Sequence, residues 1–270
     1  MNVSKKLAFI GCGNMGGAIL DGILSTKLMK KEEILVCVQS DASLKRIKQE
    51  KDVDTTRDLQ QVKEASMILL AVKPNRFEEV ISEIKEIAKD KLIISVAAGI
   101  TMDQISSYFD NETLKVIRVM PNTPACVQEA MSSLSVNSHV SDEEKEAVKS
   151  IFTSFGKVIE VKEKLIHAVI AMSGSSPAYV FMLLDAMIQK GMNYGLNKEQ
   201  AYELASQAVL GSAKMVRDLK IDPDQLKKNV CSPNGTTIEA VQSFERDDFY
   251  EIIQRAMDAC YHRSKEMSEN

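Results

Sequence analysis

The apolar run Lys6–Ile10 passes directly into Gly11-Cys12-Gly13-Asn14-Met15-Gly16 and then into the helical periodicity of Met15–Leu24. No other feature constrains the fold as strongly. A strand, a glycine turn and a helix in immediate succession open a βαβ unit. The first glycine permits the tight turn, the second admits a pyrophosphate to the backbone, and the third lets the helix pack closely on the strand. Residues Gly11, Cys12, Gly13, Asn14, Met15 and Gly16 are therefore expected to bind a dinucleotide.

Downstream, short β-rich runs continue to alternate with helical periodicity. Strands are expected at Ile34–Val38, Met67–Val72, Leu92–Val96, Leu114–Val119, Met131–Ser135 and Val158–Val161, and helices at Ser43–Lys51, Arg76–Lys89 and Asp142–Phe155. Several strands are nearly continuous apolar runs, as in a parallel sheet covered on both faces. After Val161 only helical patterns remain: Lys164–Met172, Pro177–Tyr194, Lys198–Leu219, Thr236–Phe244 and Asp248–Glu266. The expected architecture is α/β, an N-terminal Rossmann-type doubly wound sheet over residues 1–162 followed by an all-helical C-terminal domain over 163–270.

With 270 residues, 44% of them hydrophobic, the chain can bury a sizeable core. A net charge of −4 argues against nucleic acid as a partner. The N-terminal lysines lead straight into a strand, unlike a signal peptide. Over His167–Ile188 the most apolar stretch is broken by Ser173-Gly174-Ser175-Ser176-Pro177 and carries Asp185, so a pair of buried helices is expected there and not a membrane span. The cysteines Cys12, Cys37, Cys126, Cys231 and Cys260 have no CxxC spacing, and the three histidines are isolated. Free thiols in a reducing cytoplasm follow, with no metal site. Apolar residues spread around the later helices, including Met182, Leu183, Leu204 and Leu210, point to a homodimer or a larger homo-oligomer.

An NAD enzyme usually carries Asp or Glu at the tip of its second strand, to hold the ribose hydroxyls. Here Val38, Gln39 and Ser40 stand at that tip, with Lys45 and Arg46 on the next helix, so NADPH is favoured over NADH. Asp41 could supply the missing carboxylate or simply cap the helix. Three more loops follow strands, where a doubly wound sheet binds ligands. They are Ala71-Val72-Lys73-Pro74, Ala97-Ala98-Gly99 and Met120-Pro121-Asn122-Thr123-Pro124. As plain turns they need no function; as ligand loops they add Ala71, Val72, Lys73, Pro74, Ala97, Ala98, Gly99, Pro121 and Asn122 to Gln39 and Ser40 as cofactor residues.

A second glycine turn, Ser232-Pro233-Asn234-Gly235-Thr236-Thr237, also leads into a helix, whose free N–H groups suit an anion. Taken alone it could be an ordinary N-cap, and Ser173-Gly174-Ser175 an ordinary helix break. Together with GCGNMG, AVKP, AAG, MPNTPA, SGSSPAYVF and CSPNGTTIEAV, spread over essentially the whole chain, they make it resemble the pyrroline-5-carboxylate reductase family. That resemblance implies hydride transfer from NADPH to the C=N carbon of 1-pyrroline-5-carboxylate, a small cyclic imine carboxylate. The product is L-proline, in the last step of its biosynthesis. It implies a substrate site of Ser173, Gly174, Ser175, Asn234, Gly235, Thr236 and Thr237, with the Thr237 hydroxyl bonding the ring nitrogen as the catalytic group. A protonated imine accepts hydride readily, so alignment and carboxylate binding suffice without a catalytic histidine. Asn234 stands where most of the family has glycine.

Three alternatives stay open. A β-hydroxyacid dehydrogenase needs a lysine on the helix after its second glycine motif, yet the helix from Pro177 has none before Lys190. A reductase of another cyclic imine needs the same loops. A silent NADPH-binding sensor needs the cofactor loops but not an intact SPNGTT turn.

Overall fold

The structure is a computed structural model describing residues 5–269, with the side chain of Glu269 left aside. The described residues form two compact units, one holding residues up to Ser175 together with those from Cys260 on, the other Ser176–Ala259.

The first unit alternates strands and helices: β1 (Lys5–Ile10), α1 (Asn14–Ser25), β2 (Ile34–Cys37), α2 (Asp41–Lys51), β3 (Asp54–Thr56), β4 (Ala65–Leu70), α3 (Phe77–Ala88), β5 (Leu92–Ser95), α4 (Met102–Tyr108), β6 (Lys115–Met120), β7 (Ala130–Val136), α5 (Asp142–Thr153) and β8 (Gly156–Glu160). The eight strands lie in the order β3-β2-β1-β4-β5-β6-β7-β8, a Rossmann-type doubly wound sheet. Every described pair is parallel except β6–β7. Residues 121–129 are too few to carry a crossover helix, so β7 must return antiparallel to β6.

Side chains of successive residues leave a strand on opposite faces. Leu7 and Phe9 of β1 thus enter one core layer beside Ile19, Leu20 and Ile23 of α1 and Val148, Ile151 and Phe152 of α5. Ala8 and Ile10 enter the other, beside Phe77, Val80, Ile81, Ile84 and Ala88 of α3. Positions 77, 80, 81, 84 and 88 follow the helical period and form the stripe that α3 lays on the sheet. Each large apolar side chain sealed in this way contributes about 1.5–3 kcal/mol, so both faces of the strand edge that carries the ligand loops are firmly fixed.

Beyond β8 come α6 (Ile166–Val169), α7 (Ser176–Asn193), α8 (Lys198–Leu219), α9 (Pro223–Val230), α10 (Thr236–Arg246) and α11 (Phe249–Glu269). Residues 163–175 count with the sheet unit, beyond the expected boundary at 162. Polar contacts explain this. Fully buried Arg118 pairs with Glu163 at 2.9 Å, the same carboxylate oxygen accepts from the Met102 N–H at 2.8 Å, and His167 bonds Ser264 at 2.9 Å.

The helical unit has a small core of its own: Ile188, Ala201 and Ala205, with Leu184 and Leu196 half-buried against them. The two helices expected over His167–Ile188 form, but their burial does not follow. Glu163–Asn193 is long and apolar enough to cross a membrane by length and composition, and only 11% of its most apolar window is buried within the chain. Met182 is 74% exposed and Leu210 61%.

Candidate functional site

Gly11 follows β1 with φ +90°, a conformation side chains rarely adopt, and any Cβ there would stand 2.7 Å from the Ala71 carbonyl oxygen. Its N–H donates to Cys37 O at 2.9 Å, while the Ala71 N–H donates to Ile10 O at 2.9 Å, so the turn is locked between β2 and β4. A Cβ on Gly16 would lie 3.0 Å from the Gly11 carbonyl, which explains the close helix. Gly13 differs: a Cβ there would meet only open space. It leaves the backbone bare toward a ligand.

Gly13 is also the N-cap of α1, with no side-chain cap and no acidic residue in the first turn. Most other helices supply their own capping oxygen. Ser40, Thr101, Ser141 and Asn197 accept from the N–H three residues on at the starts of α2, α4, α5 and α8, and Asp222 accepts from the Asp224 N–H at that of α9. Helix α3 lacks a side-chain cap but follows directly on the 3₁₀ turn Pro74–Arg76. At α10 the N-cap is Gly235, again with no capping side chain. The two helices that begin on the glycine turns therefore leave first-turn N–H groups to an anionic ligand.

Loops Ala71–Pro74, Ala97–Gly99 and Met120–Pro124 follow β4, β5 and β6, which continue the sheet from β1 in parallel. All three therefore issue from the edge that carries Gly11–Gly16, and the cofactor candidates come together as a row.

A cavity of about 650 Å³ opens at one end of that row. Cys12, Gln39 and Ser40 line it, as do apolar Leu59, Val72 and Val80 and three arginines, Arg46, Arg57 and Arg76. Of the two cations expected there, Arg46 lines it and Lys45 does not. Sequence reasoning missed Arg57, just past β3, and Arg76, just before α3. Arg76 bonds Gln39 at 2.9 Å and forks onto Glu79 at 2.6 and 2.7 Å. Arg57 pairs with Asp41 at 3.0 Å, and Arg46 with Glu50 at 3.5 Å. Exposed ion pairs of this kind contribute at most about 1 kcal/mol, so the guanidiniums can turn to a phosphate that offers bidentate geometry. Ser40, not Asp41, caps α2.

Burial pushes the thiols of Cys12 and Cys37 up to about 11. Both are neutral at ordinary pH and act as small apolar walls. Among the described residues no group of three or more His, Cys, Asp or Glu is placed to hold a metal ion.

Residues 170–174 form a wide helical turn in which the Ser175 N–H reaches back five residues to Ile170 O at 2.8 Å. Such turns often mark functional sites. The Asn122 side chain donates to Ser173 O at 3.0 Å and accepts from the Met131 N–H at 2.9 Å, so this turn is tied to the loop after β6. Cys260 donates its thiol hydrogen to the Ser175 hydroxyl at 3.2 Å, leaving that hydroxyl's own proton available.

In the helical unit, Asn234 adopts φ +57°, the left-handed conformation that asparagine tolerates best among non-glycine residues. It is exposed, and the turn closes by the Gly235 N–H donating to Ser232 O at 3.0 Å. A Cβ on Gly235 would sit 2.3 Å from the Ser232 hydroxyl. Thr236 and Thr237 then open α10.

Known proteins resemble this chain along its whole length. Residues 163–267 match the family model described as pyrroline-5-carboxylate reductase dimerisation, and residues 6–99 that of coenzyme F420-dependent NADP oxidoreductase. The pyrroline-5-carboxylate reductase of Escherichia coli is 41% identical, over 99% of this chain and 100% of its own. The solved structure of the Coxiella burnetii pyrroline-5-carboxylate reductase superposes with a TM-score of 0.91 at 34% identity, covering 99% of this chain and 100% of that one. A Plasmodium falciparum pyrroline carboxylate reductase with NADP bound gives 0.89 at 31% identity, covering 98% of each. This chain belongs to the pyrroline-5-carboxylate reductase family.

Proposed function

We propose that the protein reduces 1-pyrroline-5-carboxylate to L-proline with NADPH, closing proline biosynthesis in the cytoplasm. The observation that carries the proposal is the pair of glycine-capped helix starts, Gly13 on α1 and Gly235 on α10, both without a capping side chain. A dinucleotide pyrophosphate and a substrate carboxylate are the two anions such an enzyme must hold.

The residues present fit NADPH. Bare Gly13 admits the pyrophosphate, Leu59, Val72 and Val80 suit an apolar ring, and Arg46 and Arg57 with Ser40 and Ser43 suit a ribose 2′-phosphate. When bound, NADPH supplies the hydride. The protein's own part is to bind and orient the imine. In this reading Gly235, whose own N–H closes the turn, leaves the first-turn N–H groups at Thr236 and Thr237 to hold the carboxylate. The Thr237 hydroxyl bonds the ring nitrogen and carries its proton. Ser173, Gly174 and Ser175 meet the substrate, with the Ser175 hydroxyl as a further donor, and Asn234 shapes the turn.

The helical region 163–270 is read as the substrate-binding and dimerisation domain. Its exposed Phe181, Met182, Leu204 and Leu210 have few apolar partners within the chain, and a match to a dimerisation model supports a homodimer or larger assembly.

Purified protein is expected to oxidise NADPH when given pyrroline-5-carboxylate, and to use NADPH better than NADH. Absence of turnover with either cofactor would overturn the function. NADPH binding without turnover would favour the sensor, and faster turnover of a six-membered imine would favour the other substrate class.

A further inference from the structure

One buried amide links the loop after β6 to the turn that carries Ser173, Gly174 and Ser175. Asn122 is 8% exposed. Its Oδ1 accepts from the Met131 N–H at 2.9 Å and its Nδ2 donates to the Ser173 carbonyl at 3.0 Å. The orientation is unambiguous, because flipping the amide would set oxygen against oxygen and NH₂ against N–H.

The chain itself creates the need for this donor. In a regular helix the Ser173 carbonyl is taken by the N–H four residues on. That residue is Pro177, which has none. Within the wide turn the Ser175 N–H goes to Ile170 O, and the Ser173 hydroxyl donates to Val169 O at 3.2 Å. Asn122, 51 positions away in sequence, supplies the missing hydrogen. Leaving such a carbonyl unpaired carries a desolvation penalty large enough to shift the turn.

We propose that Asn122 is a positioning residue for catalysis. Its amide sets the Ser173–Ser175 turn, with the Ser175 hydroxyl, at a fixed place relative to the cofactor loop Met120–Pro124. The inference rests on the proposal that this turn meets the substrate. It gives Asn122 a task beside the direct cofactor contact expected from sequence, each end of its amide holding one backbone partner.

The test compares wild type with Asn122→Asp, which keeps the acceptor for Met131 but loses the donor to Ser173. Steady-state kinetics with pyrroline-5-carboxylate are read beside NADPH affinity from nicotinamide fluorescence. The imine KM is expected to rise about tenfold or more, while the NADPH Kd stays within about twofold. An unchanged KM overturns the proposal, as does NADPH affinity falling in the same proportion. A second variant, Asn122→Asp with Pro177→Ala, restores a backbone N–H four residues after Ser173 and is expected to recover part of the lost KM. A general loss of folding would show no such recovery. Hydrogen exchange at residues 174–176 reads the link without any turnover: Asn122→Asp should speed it about tenfold, and unaltered exchange overturns the proposal. Should wild type fail to reduce the imine, the proposed function falls, and exchange alone decides whether Asn122 holds the turn.

Discussion

Gly11–Gly16 and Ser232–Thr237 perform the same local trick, a glycine turn feeding a helix whose first N–H groups no side chain caps. Their surroundings differ sharply. The first is gripped between β2 and β4 over two sealed core layers. The second stands in a unit whose own buried cluster is Ile188, Ala201 and Ala205. A glycine-capped helix start can therefore recur where global support does not. The first turn is made rigid by its own unit, whereas the helical unit leaves large apolar side chains such as Met182 and Leu210 exposed.

The contrast can be broken at its stronger side first. In Gly11→Val the side chain must enter the space of the Ala71 carbonyl from a left-handed backbone. NADPH affinity should fall more than about a hundredfold, with a lower thermal midpoint, as read by fluorescence titration and calorimetry. Affinity near wild type would mean that the turn is not under this constraint.

A smaller effect separates the two cofactors. Arg57→Ala should weaken NADPH about tenfold and leave NADH nearly unaltered, because only NADPH carries the additional phosphate. Equal losses for both would take Arg57 out of 2′-phosphate recognition.

The smallest effect concerns pH. Burial raises the thiols of Cys12 and Cys37 from 9.0 to about 11. Unfolding returns them to the ordinary value, so their neutral burial stabilises fully below pH 9 and ceases to as pH climbs through about 11. The thermal midpoint of the sheet unit should decline over that window, and decline less in Cys12→Ala with Cys37→Ala. An equal decline would mean that other groups set the alkaline limit.

Much of the sheet was legible because burial on both faces writes continuous apolar strands such as Leu92–Ser95. Polar β3, with sequence Asp54-Thr55-Thr56, was not, since it is short and joins the sheet through β2 alone. Helix α4 has seven residues, too few for a clear period, although its Thr101–Gln104 capping box stands in the sequence. The glycine turns of the candidate site were legible because their conformation demands particular residues. Arg57, Arg76 and the Asn122–Ser173 link were not, because they depend on which distant segments the sheet brings together.

In the proposed reaction the two glycine turns divide the labour, one holding cofactor and the other substrate. Thr237→Ala tests this division most directly, with kcat measured beside the NADPH Kd on the same preparation. Turnover should fall about a hundredfold while the NADPH Kd stays within about twofold of wild type. An unchanged kcat, or NADPH affinity lost along with turnover, would contradict the account.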